Sequence, residues 1–294
     1  MHLVGILCSL GAAVFWAMAV IMFKMSGDVL SPTALNLFKA IVTLVLLVPT
    51  LWIAGVPMFP PCPVSDWLMF SLSGIMGITL ADNFFFMALK RLGAGFWAIV
   101  DCLYLPFIIA FSYVYLDESI GLKGIAGASL VVLGILFGSY SGKRANCPRG
   151  DFLSGLGLGV IAVSLMAGSI VMVKPLLVHT NILWASVVRL MAGVTGLLII
   201  TAIHPQRRTI LGVLKPSAVW KMALPGSFVG NYLAMLAWLA GFKYTLVSVA
   251  AILNQLATIF TFVLAAFFLK EPVTLPRLIA IALAVTGALL AASV

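Results

Sequence analysis

The sequence predicts an all-α integral membrane protein with ten transmembrane helices, arranged as two inverted-topology five-helix repeats. Three observations support this prediction. The chain has 294 residues, of which 63% are hydrophobic and only 9% are charged, whereas a soluble domain carries about 25% charged residues. Its apolar segments are long enough to cross a bilayer, which requires about 20 residues each. Charged and aromatic landmarks also recur in the same order in the two halves of the chain.

Pro, Gly and charged clusters divide the chain into ten apolar segments. Backbone exposed to lipid must satisfy its own hydrogen bonds, and no alternating strand pattern is present, so each segment is expected to be a helix. The first segment lacks a basic leader and a cleavage site, so we expect it to be retained. The connectors are too short for a soluble domain. The predicted helices are 3–25, 31–54, 65–89, 95–116, 121–140, 151–175, 180–203, 217–242, 246–269 and 275–293.

Two sets of equally spaced landmarks indicate that the chain contains a duplicated unit. Lys24 and Lys174 are 150 residues apart, and the later tryptophans Trp67 and Trp220 are 153 apart. A single insertion of three residues accounts for the change in spacing. Further pairs keep these offsets: Lys39 with Arg189, Lys90 with Lys243, Glu118 with Glu271, and Gly134 with Gly287.

The duplication defines the predicted domains. Because each repeat has five helices, an odd number, the second repeat must enter the membrane from the opposite side. Inverted repeats of this kind are common in secondary transporters, where one repeat moves against the other around a fixed site. The predicted domains are a first repeat at 1–140, a connecting loop at 141–150 and a second repeat at 151–294.

The order of the motifs resembles the EamA-domain family of the drug/metabolite transporter (DMT) superfamily. The matching pieces are "FFFMALKRLGAG", "YLPF" and "YLDESI" in the first repeat, and "AWLAGFKYTLVSV" and "FFLKEPVTLPRLIAIALAVTGALL" in the second. The resemblance covers nearly the whole chain. It implies a ten-helix exporter or permease for small metabolites, such as amino acids or other amphipathic compounds, that works by alternating access without ATP. The expected location is the bacterial plasma (inner) membrane.

The distribution of basic residues predicts the orientation in that membrane. The polar loops 141–151 and 204–217 are rich in Arg and Lys, and the predicted helices place both loops on the same side. The positive-inside rule puts this side in the cytoplasm and both termini outside. Members of the family that the chain resembles usually keep both termini in the cytoplasm, so the direction of transport does not follow from the resemblance.

Four ionisable residues are predicted to share the central layer of the membrane. Asp82 and Asp101 are at similar distances from the turn near residue 92, and Lys39 lies about 12 Å below the same boundary at a rise of about 1.5 Å per residue. Arg189 enters from the other side by a similar amount. A charge at the bilayer centre costs about 2.5–3.5 kcal/mol on insertion scales, so these charges must pair with one another or bind a ligand.

The two acids are specific to the first repeat. Asp82 aligns with Met235, and Asp101 aligns with Asn254, so the second repeat folds without either carboxylate. This asymmetry favours a role in binding a proton or a substrate ammonium group, and proton coupling is one way in which such a site could work. The alternative is that the acids are structural and that the two bases fasten helices through ion pairs.

Five further residues are predicted to line the same cavity. Trp97 and Tyr104 share one face of the fourth predicted helix with Asp101, because they are four and three residues away from it. The other three, all in the second repeat, are Asn231, Asn254 and Gln255. The alternative roles are interfacial anchoring or packing for the aromatic residues and interhelical hydrogen bonding, worth about 1 kcal/mol, for the amides.

Six other landmarks are expected to be structural and occur as pairs, one in each repeat: Lys24 and Lys174, Trp67 and Trp220, Glu118 and Glu271. The lysines lie near helix ends and can extend their ammonium groups to the interface. The tryptophans begin helices, where aromatic residues favour the membrane interface. The glutamates precede the last helix of each repeat, so we expect them to cap these helices, where the dipole favours negative charge.

Other functional classes lack the residues that they need. His2, His179 and His204 are scattered, and no metal-ligand or nucleophile motif appears, so we expect no enzyme activity, no metal and no cofactor. An integral-membrane lipid-modifying enzyme is the alternative. The net charge of +9 is interpreted as a topology signal, with no nucleic acid bound. The expected partners are a small-molecule substrate and the lipid bilayer, with the chain a monomer or homodimer.

Overall fold

The computed structural model describes residues 2–116, 122–141, 149–177, 179–244 and 247–292, and these ranges contain helices and no strand. Two of the segments are π-helices and are named π1 and π2. In chain order the elements are α1 (His2–Gly27), α2 (Pro32–Ile53), α3 (Val64–Gly74), π1 (Ile75–Ala81), α4 (Asp82–Leu92), α5 (Ala94–Asp101), α6 (Tyr104–Leu116), α7 (Leu122–Ser141), α8 (Arg149–Leu177), α9 (Ile182–Ile203), α10 (Arg207–Gly212), α11 (Trp220–Gly226), π2 (Ser227–Leu233), α12 (Ala234–Tyr244), α13 (Val247–Phe268) and α14 (Leu275–Ala292).

The described residues of all ten predicted segments are mainly helical, and the helix ends fall within a few residues of the predicted ones. Among the described residues, six helical stretches are long and apolar enough to cross a bilayer by themselves: Leu3–Gly27, Pro32–Ile53, Val64–Leu92, Ala94–Tyr115, Gly150–Leu177 and Ile182–Ile203. Three shorter apolar helices are Leu122–Gly134, Leu253–Phe268 and Leu275–Gly287. The chain is therefore a multi-pass membrane protein, while the count of ten crossings stays a prediction.

Equivalent residues cap the second helix of each repeat. At the start of α2, Ser31 Oγ accepts a hydrogen bond from the Ala34 amide at 3.3 Å. At the start of α9, Asn181 Oδ1 accepts hydrogen bonds from the amides of Leu183 at 2.9 Å and Trp184 at 3.4 Å. Each cap satisfies amides that a helix leaves unpaired at its first turn. Since Ser31 and Asn181 are 150 residues apart, α2 and α9 begin at matching positions in the repeats.

The segments π1 and π2 occupy matching places in the two repeats, inside spans that are otherwise α-helical. Gly77 in π1 lies against Ser169 of α8, and Gly230 in π2 lies against Ala19 of α1. A Cβ atom at either glycine would collide with that neighbour. Each π-helix therefore packs closely on the first helix of the other repeat. Such segments are rare and occur frequently at functional sites.

The last helices of the two repeats, α7 and α14, pack against each other in antiparallel orientation. Gly134 lies against Ala284, and Gly287 lies against Val131. These two contacts are equivalent to each other at the 153-residue spacing. Because the contact positions run in opposite directions along the two helices, the packing is antiparallel. Reciprocal contacts of this kind are the mark of a two-fold relationship.

The fourth predicted helix is broken in its middle into α5 and α6. Cys102 and Leu103 form a turn in which both amides donate to carbonyl groups three residues earlier. Pro106 lies just beyond the turn and has no amide hydrogen to donate. The break places Asp101 at the carboxyl end of α5, a helix of eight residues. A continuous helix was the expectation here, so the turn changes how this acid is presented.

Candidate functional site

An acid and a base that the sequence places at one depth meet where α2 contacts α4. Lys39 Nζ lies 2.6 Å from Asp82 Oδ2, and the two side chains are only 1% and 7% exposed. The Lys39 ammonium group also lies 5.3 Å from the centre of the Phe86 ring, whose face attracts a cation. The two charges therefore neutralise each other inside the protein, as buried ions must.

Backbone packing as well as charge holds this pair in place. All residues of α2 from 34 to 40 are buried, so Lys39 is enclosed on every side. Asn36 Nδ2 donates a hydrogen bond to the Ile78 carbonyl at 2.8 Å, which ties α2 to π1 shortly before Asp82. The position of the pair thus depends on the π-helical turn as well as on the two ions.

Arg189 of α9 extends the charged cluster into the second repeat. Its guanidinium group interacts electrostatically with Asp82 and Tyr104. Its Nε atom is buried and has no hydrogen-bond partner among the described residues. Gly77 of π1 leaves room for the guanidinium group, because a Cβ there would lie 3.4 Å from Nη2. Since buried donors are nearly always paired, this Nε is available to an acceptor group of a ligand.

The carboxylate of Asp101 has no partner in the part of the chain that the structure describes. It makes no hydrogen bond or ion pair with any residue that the structure describes, and it is partly exposed. It ends α5, where the negative end of the helix dipole disfavours an anion. Tyr104 lies across the turn and interacts with it electrostatically. A carboxylate in this position would be stabilised by a bound cation or proton.

The two acids thus have different surroundings. Asp82 interacts with Lys39 and Arg189, whereas Asp101 interacts with Tyr104 and has no basic group near it in the described part of the chain. No direct interaction joins the two carboxylates there. The four charges therefore do not form one balanced group, since the first acid is already neutralised and the second is not. Arg189 and Asp101 both interact with Tyr104.

Three more of the predicted residues lie on the helices around these charges. Trp97, one turn before Asp101, has a buried indole nitrogen without a partner among the described residues, and the amide nitrogen of Asn254 is in the same situation. Gln255 Nε2 lies 3.4 Å from the Cys102 sulfur, which places α13 against the break between α5 and α6. The surroundings of Asp101 therefore contain unpaired donors from both repeats.

Asn231 joins the two repeats. It lies in π2, and its Nδ2 donates to Thr43 Oγ1 of α2 at 2.9 Å. Thr43 Oγ1 in turn donates to the Lys39 carbonyl at 2.8 Å. Beside it, the hydroxyl groups of Tyr232 and Thr50 lie 2.7 Å apart. The π2 segment is therefore fastened to α2 one turn beyond the buried lysine.

Two hydroxyl groups that the sequence does not distinguish also join the repeats beside this site. Thr79 Oγ1 of π1 donates to the Gly193 carbonyl of α9 at 2.9 Å, and Ser73 Oγ of α3 donates to the Ser169 carbonyl of α8 at 2.6 Å. Their sequence signal is a small polar residue within an apolar span. Such residues are common in membrane helices, so the signal does not separate these two from others.

Aromatic side chains close this cluster off from the end of the molecule where the chain turns at Gly93 from α4 into α5, here named the α4–α5 face. The ring centre of Phe85 lies 4.7 Å from those of Phe86 and Trp97. All residues of α5 from 94 to 100 are buried, while several residues of α6 beyond the turn are partly exposed. The buried helix α5 therefore lies between Asp101 and the α4–α5 face.

Glu271 caps a helix, but not the predicted one. Its Oε1 accepts a hydrogen bond from the Ala94 amide at 2.8 Å, and its Oε2 accepts one from the Gly95 amide at 3.2 Å. It therefore caps α5 of the first repeat, and the prediction that it caps α14 is wrong, because tertiary packing brings the start of α5 within its reach. Glu118, the equivalent residue, lies outside the described residues.

The remaining landmarks lie near helix ends. Lys24 forms an ion pair at 2.5 Å with the aspartate one turn later, and its equivalent Lys174 lies in the last turn of α8. Trp67 packs edge-on against Trp184, with 4.8 Å between ring centres. Trp220 donates from Nε1 to a carbonyl of the preceding loop at 2.9 Å. None of these contacts reaches the central charges.

Comparison with known proteins identifies a family and a fold. A family model described as "EamA-like transporter family" matches residues 3–140 and again residues 153–293, which confirms the resemblance seen in the motifs. A solved structure described as "Crystal structure of protein" superposes with a TM-score of 0.70 at 18% sequence identity, covering 99% of this chain and 97% of the other. At this identity the likeness concerns the fold alone. Among curated proteins, none matches the sequence.

Proposed function

The chain belongs to the EamA-like transporter family, and from this membership we propose that it is a secondary transporter of small metabolites that works by alternating access. Its apolar helices make it a multi-pass membrane protein. In this proposal the substrate binds between Asp101 of α5 and Arg189 of α9, which both interact with Tyr104. The substrate would reach this binding site from one side of the membrane at a time.

One observation carries the proposal: an unpaired anion and an incompletely paired cation lie inside a membrane span beside the same tyrosine. Within the described part of the chain, Asp101 has no partner and Arg189 keeps a buried donor without an acceptor. Both interact with Tyr104. Ionisable residues inside membranes usually face such binding sites or pathways. An ammonium group at Asp101 and an acidic group at Arg189 would satisfy both, as in an amino acid or another amphipathic zwitterion.

The donors of Trp97 and Asn254, which have no partner among the residues that the structure describes, support a ligand that offers several acceptor atoms. Each donor is buried, so without an acceptor it would retain the full penalty of lost hydration. A carboxylate or carbonyl group of a substrate could satisfy them. Asp82 and Lys39, by contrast, are already paired, so in this proposal they hold α2 against α4 rather than bind the substrate.

Alternating access needs two packings of similar energy, and inverted repeats provide them. The antiparallel and reciprocal contacts of Gly134 and Gly287 support an inverted arrangement. A proton at Asp101 could couple transport to an ion gradient, because its carboxylate, which has no partner in the described ranges, can be neutralised by either a proton or an ammonium group.

We also propose a location in the bacterial inner membrane with the α4–α5 face in the cytoplasm and both termini outside. The basis is the positive-inside rule. Basic residues concentrate in the turns assigned to this face: Lys90, Arg91, Arg207, Arg208, Lys215 and Lys270. An exporter would then take its substrate from the α4–α5 face, where the buried helix α5 covers Asp101 in this structure.

Counterflow in proteoliposomes tests the proposed function. Vesicles from overexpressing cells are first screened by mass spectrometry for metabolites that they accumulate or lose. Each candidate is then measured as labelled compound entering liposomes that contain the same compound unlabelled. A carrier gives saturable counterflow without ATP. Passage without saturation or counterflow would indicate a channel, chemical conversion of a lipid or metabolite would indicate an enzyme, and either result would overturn the proposal.

A further inference from the structure

A carboxylate of the second repeat is bound at the start of a helix in the first. Glu271 accepts hydrogen bonds from two successive amides, those of Ala94 and Gly95, at 2.8 and 3.2 Å. These amides begin α5, where the helix dipole is positive and its first amides lack partners within the helix. Arg277 Nη1 lies 3.5 Å from the same carboxylate, whose side chain is 17% exposed. The contact therefore joins the repeats through a largely shielded charge.

The backbone on both sides is shaped for this contact. Gly93 has a φ of 79°, and a Cβ atom at Gly93 or Gly95 would lie 2.8 or 2.9 Å from a Glu271 oxygen. Lys270, just before the glutamate, has a φ of 53°, which is uncommon for a residue with a side chain. The glycines make space for the carboxylate, and the turn at Lys270 directs it toward the amides.

The helix that Glu271 holds is also the helix that ends in Asp101. It has eight residues, or about 12 Å at about 1.5 Å per residue. Its residues 94–100 are all buried, so it is packed as a unit. The turn at Cys102 then separates it from α6 and can act as a hinge. A displacement at the start of α5 is therefore transmitted to the acid at its end.

We propose that Glu271 is a positioning residue for transport, which holds α5 closed over the polar residues on the α4–α5 face and must release it when that face opens. The inference rests on the proposed transport function, because alternating access requires two gates and the contact of Glu271 with α5 is proposed to be one of them. Release of the carboxylate would move Trp97 and Asp101 together, because both belong to α5. Opening of the face would thus be coupled to the geometry of the substrate site.

The native thiol of Cys102 can report this movement, because it is buried and directly follows Asp101. The other cysteines, Cys8, Cys62 and Cys147, are replaced by Ser. Membrane vesicles of both orientations are treated with a membrane-impermeant thiosulfonate, and the rate of Cys102 modification is measured by mass spectrometry from each face. The substitutions Glu271→Ala and Glu271→Gln are expected to raise the rate from the α4–α5 face about tenfold or more, since they remove charge-assisted hydrogen bonds. The rate from the opposite face should stay unchanged.

Gly95→Ala is a second route to the same result, because it leaves Glu271 in the chain and fills the space that its Oε2 occupies. Gly157→Ala is the matched control, because no heavy atom lies within 4 Å of a Cβ at that position, and its rates should equal those of the parent protein. Should Glu271→Ala fail to fold, Gly95→Ala and Glu271→Gln decide the question.

Two results would overturn the inference. One is an unchanged rate from the α4–α5 face in the folded variants. The other is an equal increase from both faces, which would mean general loosening rather than the opening of one gate. The readout needs no substrate, so a failure of counterflow would overturn the proposed function without deciding the role of Glu271.

Discussion

Gln255 Nε2 lies 3.4 Å from the Cys102 sulfur, and these two residues are equivalent in the two repeats at the 153-residue spacing. Because a contact between equivalent residues lies close to the symmetry axis, the approximate two-fold axis that relates the repeats passes near these two side chains. The residues just before them, Asp101 and Asn254, are equivalent as well. The backbone positions are therefore symmetric, but the side chains differ, with a carboxylate in the first repeat and an amide in the second.

Asp101→Asn tests whether this carboxylate binds the substrate or a proton. Its side chain makes no hydrogen bond or ion pair with a described residue, so the variant is expected to fold normally. Counterflow should fall about tenfold or more, because a hydrogen bond to a charged group contributes about 1.5–3 kcal/mol. The control is Asp66→Asn, in the first turn of α3, which should keep full counterflow. Full counterflow in Asp101→Asn would remove this residue from the site.

Single neutralisation of the buried ion pair should destabilise the protein strongly. Lys39→Met or Asp82→Asn leaves an uncompensated buried charge, with an expected loss of about 3–5 kcal/mol. The double variant should lose less than the sum of the two, since neither ion of the pair is then left buried without the other. Thermal unfolding in detergent measures this double-mutant cycle.

The exposed pair of Lys24 and Asp28 provides the comparison for that cycle. The Asp28 side chain is 58% exposed, so Lys24→Met and Asp28→Asn should each change stability by about 1 kcal/mol or less. Equal losses at the two pairs would mean that burial does not set the strength of the Lys39–Asp82 interaction.

Gly74→Ala should disrupt the packing of α3 on α9. A Cβ at this position would collide with the backbone carbonyl of Arg189, and backbone, unlike a side chain, cannot rotate away. Overpacking of this kind typically costs about 1–3 kcal/mol, which a lower unfolding temperature in detergent would report. Gly157→Ala, with open space around its Cβ, should behave as the parent protein. Equal unfolding temperatures for the two variants would contradict the close approach of the repeats at Gly74.

The helix ends and the depth of the charges could be predicted from the sequence, because both depend on local composition. Apolar runs end where Gly, Pro or charge begins, as at Gly93, which has a positive φ. Counting residues from such turns placed Lys39 and Asp82 at one depth, and the structure joins them at 2.6 Å. At about 1.5 Å per residue, an error of one or two residues still leaves a lysine within reach of its partner.

The π-helical segments and the target of Glu271 could not be predicted in this way. The π1 segment depends on how closely Gly77 approaches Ser169, and a lone glycine in an apolar span does not reveal what it contacts. Glu271 binds amides 177 and 176 positions earlier in the chain, so its role is set by tertiary packing. The glycines at 93 and 95 indicate that another group could approach the backbone closely, but the sequence does not show that this group is Glu271.

Labelling of equivalent loops tests the inverted arrangement on which alternating access depends. Cys62 lies between α2 and α3, and Ser217 lies in the equivalent connection before α11. Two single-cysteine proteins, one with Cys62 and one with Ser217→Cys, are treated with a membrane-impermeant maleimide in vesicles of both orientations. Inverted repeats predict that the two thiols react from opposite faces of the membrane. Reaction of both thiols from the same face would contradict the inverted topology and, with it, the proposed carrier mechanism.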